Sequence, residues 1–122
     1  MSKINHFKDL RCWQNARKLT ADIYLEEAPL LIKDFSTKDQ FRRASLSIMN
    51  NVAEGFTRFS VKEQIRFYEI AQSSAAEVES MLYLFEDIKY LTPGQIEKYR
   101  EQTIISRRQI LGLIKYLNNH QK

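Results

Sequence analysis

From Phe67 onward, Phe67, Ala71, Ser74, Val78, Met81, Phe85 and Ile88 alternate spacings of four and three without a break. That rhythm is a heptad seam, about 30 residues or roughly 45 Å of α-helix that packs on other helices at shallow angles. A second seam, Ile96, Tyr99, Thr103, Ser106, Ile110, Leu113 and Leu117, keeps the same alternation. Only a few residues separate the two, so these helices fold back antiparallel on one another. Three Gly and two Pro in 122 residues leave little room for a turn-rich β architecture. A chain with two such seams folds as an all-α bundle.

Caps and breakers place the boundaries. Leu10, Trp13, Ala16, Thr20, Ile23 and Tyr24 recur at helical spacing behind Asp9, a suitable N-cap. Pro29 pushes Ala28 out of the α region and ends that first helix. The connection from Leu30 to Phe35 is apolar for a loop and is expected to fold back over the bundle end, and Ser36 or Thr37 can then cap a second helix. Ser60 with Glu63 makes a capping box for the third, and Thr92-Pro93-Gly94-Gln95 repeats the signal for the fourth. The result is one up-down-up-down four-helix domain over residues 1–122, with helices at about 9–27, 37–57, 60–90 and 92–119. Ala71 and Ser74 are small where a seam is usually filled, so a neighbouring helix can come close there.

The second helix is unusual on both faces. Ala44, Ile48, Met49, Val52, Ala53, Phe56 and Phe59 spread over an apolar arc of roughly 200°, wider than a surface helix carries. Opposite lies a stripe of Arg43, Ser47, Asn51, Glu54 and Arg58, confined to about 80°. It is either a solvated face with an incidental Arg–Glu pair or a satisfied polar network between helices or subunits. In the second case Ser74 and Glu77 of the third helix are the partners within reach, and such a network fixes register or assembly.

Composition narrows the chemistry. With 43% hydrophobic and 28% charged residues, no apolar run of membrane-spanning length and no apolar core at the start, the chain is expected to be cytoplasmic, with no membrane partner. Cys12 lies on an apolar helix face and reads as a small core residue; a reactive thiol would need an electropositive pocket. His6 and His120 sit at opposite ends of the chain and Gly55, Gly94 and Gly112 are scattered, so neither a metal set nor a phosphate loop can be built, and no catalytic triad unless a terminal His docks into the fold. Carboxylates such as Glu54 and Glu77 are the remaining route to acid–base chemistry. The expectation is a non-enzymatic protein with no cofactor.

A formal charge of +4 favours anionic partners mildly, and more so if copies assemble with shared basic surfaces. The candidate nucleic-acid-binding residues are Arg11, Arg17, Lys18, Arg42, Arg58, Lys62, Arg107, Arg108 and Lys115. Trp13, Phe59 and Tyr99 are better explained as core or bundle ends than as base-stacking platforms. Without a helix-turn-helix, zinc-finger or RNP signature, binding to RNA or DNA is phosphate-led and weak in sequence preference. A protein-assembly scaffold with an incidental basic surface is the alternative.

Three local patterns carry a resemblance: Phe7-x-Asp9-Leu10-x-x-Trp13-Gln14-x-Ala16; Gln40-x-x-Arg43-Ala44-x-x-Ser47-Ile48-x-x-Asn51-x-Ala53-Glu54-Gly55; and Phe67-x-x-x-Ala71-x-x-Ser74-x-x-Glu77. With them the chain resembles, over nearly its whole length, the bacterial four-helix-bundle proteins encoded in intervening sequences of 23S ribosomal RNA genes. Ser73 stands where that family often has Gly, and Met49 where it often has Pro, so Met49 is expected to leave the second helix straighter. The resemblance implies a homopentamer with a basic surface. The accessory proteins of diversity-generating retroelements are similar, which implies nucleic acid and a reverse transcriptase as partners.

Overall fold

In the computed structural model, which describes residues 3–120, a short 3-10 turn (Phe7–Asp9) precedes α1 (Arg11–Tyr24), α2 (Pro29–Lys33), α3 (Phe35–Thr57), α4 (Val61–Ile88) and α5 (Pro93–Asn119). No strand occurs among the described residues, and the expected domain 1–122 includes four terminal residues outside them.

The ends of these helices show which local signals won. Asp9 is not the cap of α1: it lies inside the 3-10 turn, and extended Leu10 precedes α1 without a side-chain cap. α1 also stops short of residue 27, because the Glu26 carboxylate turns back to accept the amides of Glu27 and Ala28 at 3.1 and 3.2 Å. Ala28 is held off the α region before Pro29, as its position requires. The expected loop after it is instead α2, since Pro at the first helical position is already set for a turn. Of that segment only Leu31 is buried, while Leu30, Ile32 and Phe35 remain exposed.

Neither Ser36 nor Thr37 caps α3; Asp34 does, accepting the Thr37 amide at 3.2 Å. Ser60 caps α4 through the Glu63 amide, but the return half of the box is missing, since the Glu63 carboxylate faces the Ser60 hydroxyl at 3.4 Å. α5 has both halves, Gln95 N–H to Thr92 Oγ1 and Thr92 N–H to Gln95 Oε1. α4 ends on Lys89 in the left-handed region at φ 60°, where the Tyr90 amide donates to Phe85 O, a Schellman stop without glycine.

Cross-links between helices give the topology. Thr20 Oγ1 reaches Ser45 O and Arg42 reaches Tyr24 O, which runs α1 against α3. Ser47 meets Ser74 and Phe41 meets Phe85, which runs α3 against α4. Arg107 pairs with Glu79 and Arg100 with Glu86, which runs α4 against α5. Asn15 bonds Gln109 and Asp22 bonds Gln102, closing α5 onto α1. The four long helices form an up-down-up-down bundle, and among the described residues no helix is long and apolar enough to cross a membrane.

The core runs the length of the bundle through Leu19, Ile23, Ile48, Val52, Val78, Leu82 and Ile110. At one end Phe41 packs edge-on against Phe85 and Tyr99. α5 buries its expected seam from Ile96 to Ile110, with Leu113 and Leu117 partly covered. α4 departs from its seam. Its buried strip is Tyr68, Ala71, Ala75, Val78, Leu82 and Phe85, together with Ser74, whereas Met81 is only partly buried and Ile88 is exposed. The cause is that α4 packs against both α3 and α5, so its buried arc turns to serve two neighbours.

Candidate nucleic-acid interface

Between α3 and α4 the packing is close and polar. Ser47 Oγ lies 2.8 Å from Ser74 Oγ, and the Asn51 side-chain amide donates to Ser47 O at 2.8 Å and Ser47 Oγ at 3.0 Å. One turn further on, a Cβ at Gly55 would stand 2.6 Å from Tyr68 Cε1 and 3.1 Å from Phe67 Cβ. Gly55 is therefore the residue that lets α4 approach; a Cβ is what the site cannot hold. The polar stripe is thus split. Ser47, Asn51 and Ser74 form a node between helices, while Arg43 pairs with Asp39 at 2.8 Å and Glu54 with Arg58 at 3.7 Å on the outside. Glu77 is exposed and joins neither group.

A second polar cluster ties α1 to α5. Tyr99 donates to Glu26 Oε1 at 2.6 Å, Gln95 donates to Glu26 Oε2 at 2.9 Å, and Asp22 accepts from Gln102 at 2.9 Å with Lys18 at 3.2 Å and Lys98 at 3.7 Å beside it. Burial works to raise the Asp22 pKa, but the Gln102 and Lys18 hydrogen bonds and the two ammonium charges outweigh it and hold the carboxyl below its usual range. Burial, reinforced by Glu26, pushes the Tyr99 phenol upward. Cys12 is a core residue whose thiol is pushed up to about 11 by desolvation, the opposite of an activated nucleophile. Among the described residues no three His, Cys, Asp or Glu side chains converge to hold a metal ion.

The cations divide by position. Because neighbouring helices are antiparallel, the start of α1, the end of α3, the start of α4 and the end of α5 share one end of the bundle. That end carries Lys8, Arg11, Arg58, Lys62, Arg66 and Lys115, all exposed. The acids there are Asp9, Glu54, Glu63 and Glu69. At the other end Arg43, Lys98 and Arg100 are each held by a carboxylate and Lys33, Lys38 and Lys89 are not, but Glu27, Asp87, Glu97 and Glu101 add exposed negative charge, so carboxylates outnumber cations there.

Of the nine expected contact residues, Arg11, Arg17, Lys62, Arg108 and Lys115 are exposed with no carboxylate partner among the described residues. Lys18 is bound to Asp22, Arg107 is held by Glu79 at 2.6 Å, and Arg58 lies near Glu54 with its guanidinium 4.5 Å over the Phe67 ring. Arg42 is half-buried at the opposite end, donating to Tyr24 O at 2.7 Å. Phe59 does not belong to the apolar arc that its spacing predicts: it follows the last turn of α3 and is fully exposed.

Three residues have roles that their local sequence does not reveal. Glu26 acts through Gln95 and Tyr99, far off in sequence. Gly55 looks like an ordinary helix-end glycine until Tyr68 is placed beside it. Phe59 shares the helical spacing of core residues although the helix has already ended.

A comparison with curated proteins finds no match. Among solved structures, a protein of unknown function from the S23 ribosomal protein family of Bacteroides thetaiotaomicron is similar. It shares 21% identity at a TM-score of 0.78, over 85% of this chain and 98% of that one, which supports the bundle fold. The family model of the 23S rRNA-intervening sequence proteins matches residues 8–112, most of the chain. The chain belongs to the 23S rRNA-intervening sequence protein family.

Proposed function

We propose that this protein is a non-enzymatic, oligomeric four-helix bundle that binds RNA or DNA through phosphate contacts made by one end of the bundle. The observation that carries it is the end-to-end charge asymmetry: at one end cations outnumber carboxylates, with Arg11, Lys62, Arg66 and Lys115 unpaired among the described residues, whereas at the other end carboxylates outnumber cations. A cation already paired releases little on meeting a phosphate, because it must first give up its carboxylate; an unpaired one releases counterions directly. Arg17, over the Trp13 ring, and Arg108, in a groove between α4 and α5, are further exposed cations without a carboxylate partner among the described residues. Membership in a family named for an insert in 23S rRNA supports a nucleic-acid association.

The oligomer proposed is the pentamer implied by the resemblance, with the exposed apolar residues Ile70, Leu84 and Ile88 of α4 as the surface where copies meet. Several basic ends brought side by side would strengthen each other's field. That apolar surface also favours the second reading, a scaffold for a protein partner such as a reverse transcriptase. Charge reversal separates the two. Lys62→Glu with Lys115→Glu is expected to lower RNA affinity at least tenfold, while Lys33→Glu with Lys38→Glu at the opposite end changes it little. Equal losses from both pairs would contradict an end-specific site.

A further inference from the structure

The α3–α4 turn presents an aromatic ring that nothing in the fold explains. Phe59 is fully exposed, yet the turn that holds it is hydrogen-bonded on both sides of it. The Arg58 amide donates to Gly55 O at 3.2 Å, Gln64 Nε2 donates to Arg58 O at 3.0 Å, and Ser60 is tied to the first turn of α4. Both neighbours of Phe59 are extended, with Arg58 at ψ 149° and Ser60 at ψ 143°, so the ring stands out from a fixed backbone. It is the most exposed of the large apolar residues on the described surface, ahead of Leu25 and Phe35, and leaving a Phe ring in water forgoes the burial that stabilises a core aromatic.

Arg58 precedes it in the turn, and the cations that follow it in sequence sit beside carboxylates. Lys62 and Arg66 follow on the first turns of α4 and line, with Ile65 and Asn118, an open groove of about 510 Å³ between α4 and the end of α5. Glu63 and Glu69 also line it, but the Glu63 carboxylate is turned toward Ser60. An exposed aromatic on a rigid turn beside unpaired cations is the arrangement by which a protein takes a single-stranded nucleic acid, the ring stacking on a base while the cations hold its phosphates. A base-paired end already stacked on its neighbours gains less from the same ring.

Resting on the proposed nucleic-acid reading, we infer that Phe59 is a stacking residue that gives the basic end a preference for unpaired nucleotides over duplex. Lys62 and Arg66 hold the adjoining phosphates, and the affinity of the surface is set jointly by charge and by stacking. Loss of the ring removes the preference for single strands and leaves the phosphate contacts.

The experiment compares a short single-stranded RNA with a blunt duplex of the same sequence, titrated into wild-type protein, Phe59→Leu and Phe59→Trp. Wild type is expected to favour the single strand, and Phe59→Leu to lose about tenfold on it with an unchanged salt slope and little change on duplex. Phe59→Trp is expected to keep the affinity, with its added indole emission quenched by the single strand. If Phe59→Leu binds the single strand as wild type does, the stacking role is overturned while the nucleic-acid reading stands. If wild type binds neither probe at low salt, that reading fails and this inference with it. A change in solution mass for Phe59→Leu would make Phe59 a contact between copies and overturn the inference.

Discussion

At the scale of single residues, Gly55 and the Ser47 node determine how α3 meets α4. Helix propensity alone would have Gly55→Ala stabilise by about 1 kcal/mol. The Tyr68 ring reverses the sign, because the new Cβ would lie 2.6 Å from Cε1 of a fully buried side chain. We expect Gly55→Ala to lose about 1–2 kcal/mol net, read as a lower urea midpoint at unchanged slope. A higher midpoint would mean the helices separate at little cost. Asn51→Leu removes the donor shared by Ser47 O and Ser47 Oγ and is expected to cost about 1 kcal/mol in the same assay.

At the scale of elements, helix ends are where local chemistry and tertiary context compete. Lys89 terminates α4 at φ 60°, a conformation that favours glycine, and its side chain is exposed. Lys89→Gly is expected to raise stability by about 0.5–1 kcal/mol, measured by the same unfolding. Asp34 caps α3 and accepts the Tyr90 hydroxyl at 2.7 Å, and these two bonds, Tyr90 foremost, hold its carboxyl below the ordinary value of 3.8. The unfolded chain therefore takes up the proton first as pH falls. The contribution of Asp34 is complete above about pH 4 and is lost as pH drops through the lower folded value. Stability followed from pH 5 downward should fall less steeply in Asp34→Asn than in wild type. The long helices and the α5 capping box were legible because periodicity and short-range caps are local. Asp34 was hidden because its choice over Ser36 or Thr37 is reinforced by Tyr90, and α2 was hidden because an apolar Pro-led segment of five residues looks the same as a folded-back loop. The stripe of α3 was visible as a pattern, but which of its members face α4 depends on the rotation of a helix that the pattern does not specify.

For the whole molecule, the antiparallel closure of four helices sorts charge along the bundle axis. Residues far apart in sequence, Arg11, Lys62 and Lys115, reach one end, and that gathering is invisible until the topology is known. The cations were readable as candidates, whereas their division into paired and unpaired groups came only from side-chain geometry. Light scattering on chains of 14.5 kDa should give the mass of a pentamer; a clean monomer would remove the role proposed for the exposed face of α4. The central claim, that phosphates are the ligand of the basic end, is tested most directly by the affinity for a short single-stranded RNA as salt is raised. Phosphate-led binding gives a straight, steep fall of log affinity with log salt, and Lys62→Glu with Lys115→Glu should make that slope shallower by about two. Affinity that ignores salt, or a slope the double variant leaves unchanged, would contradict it.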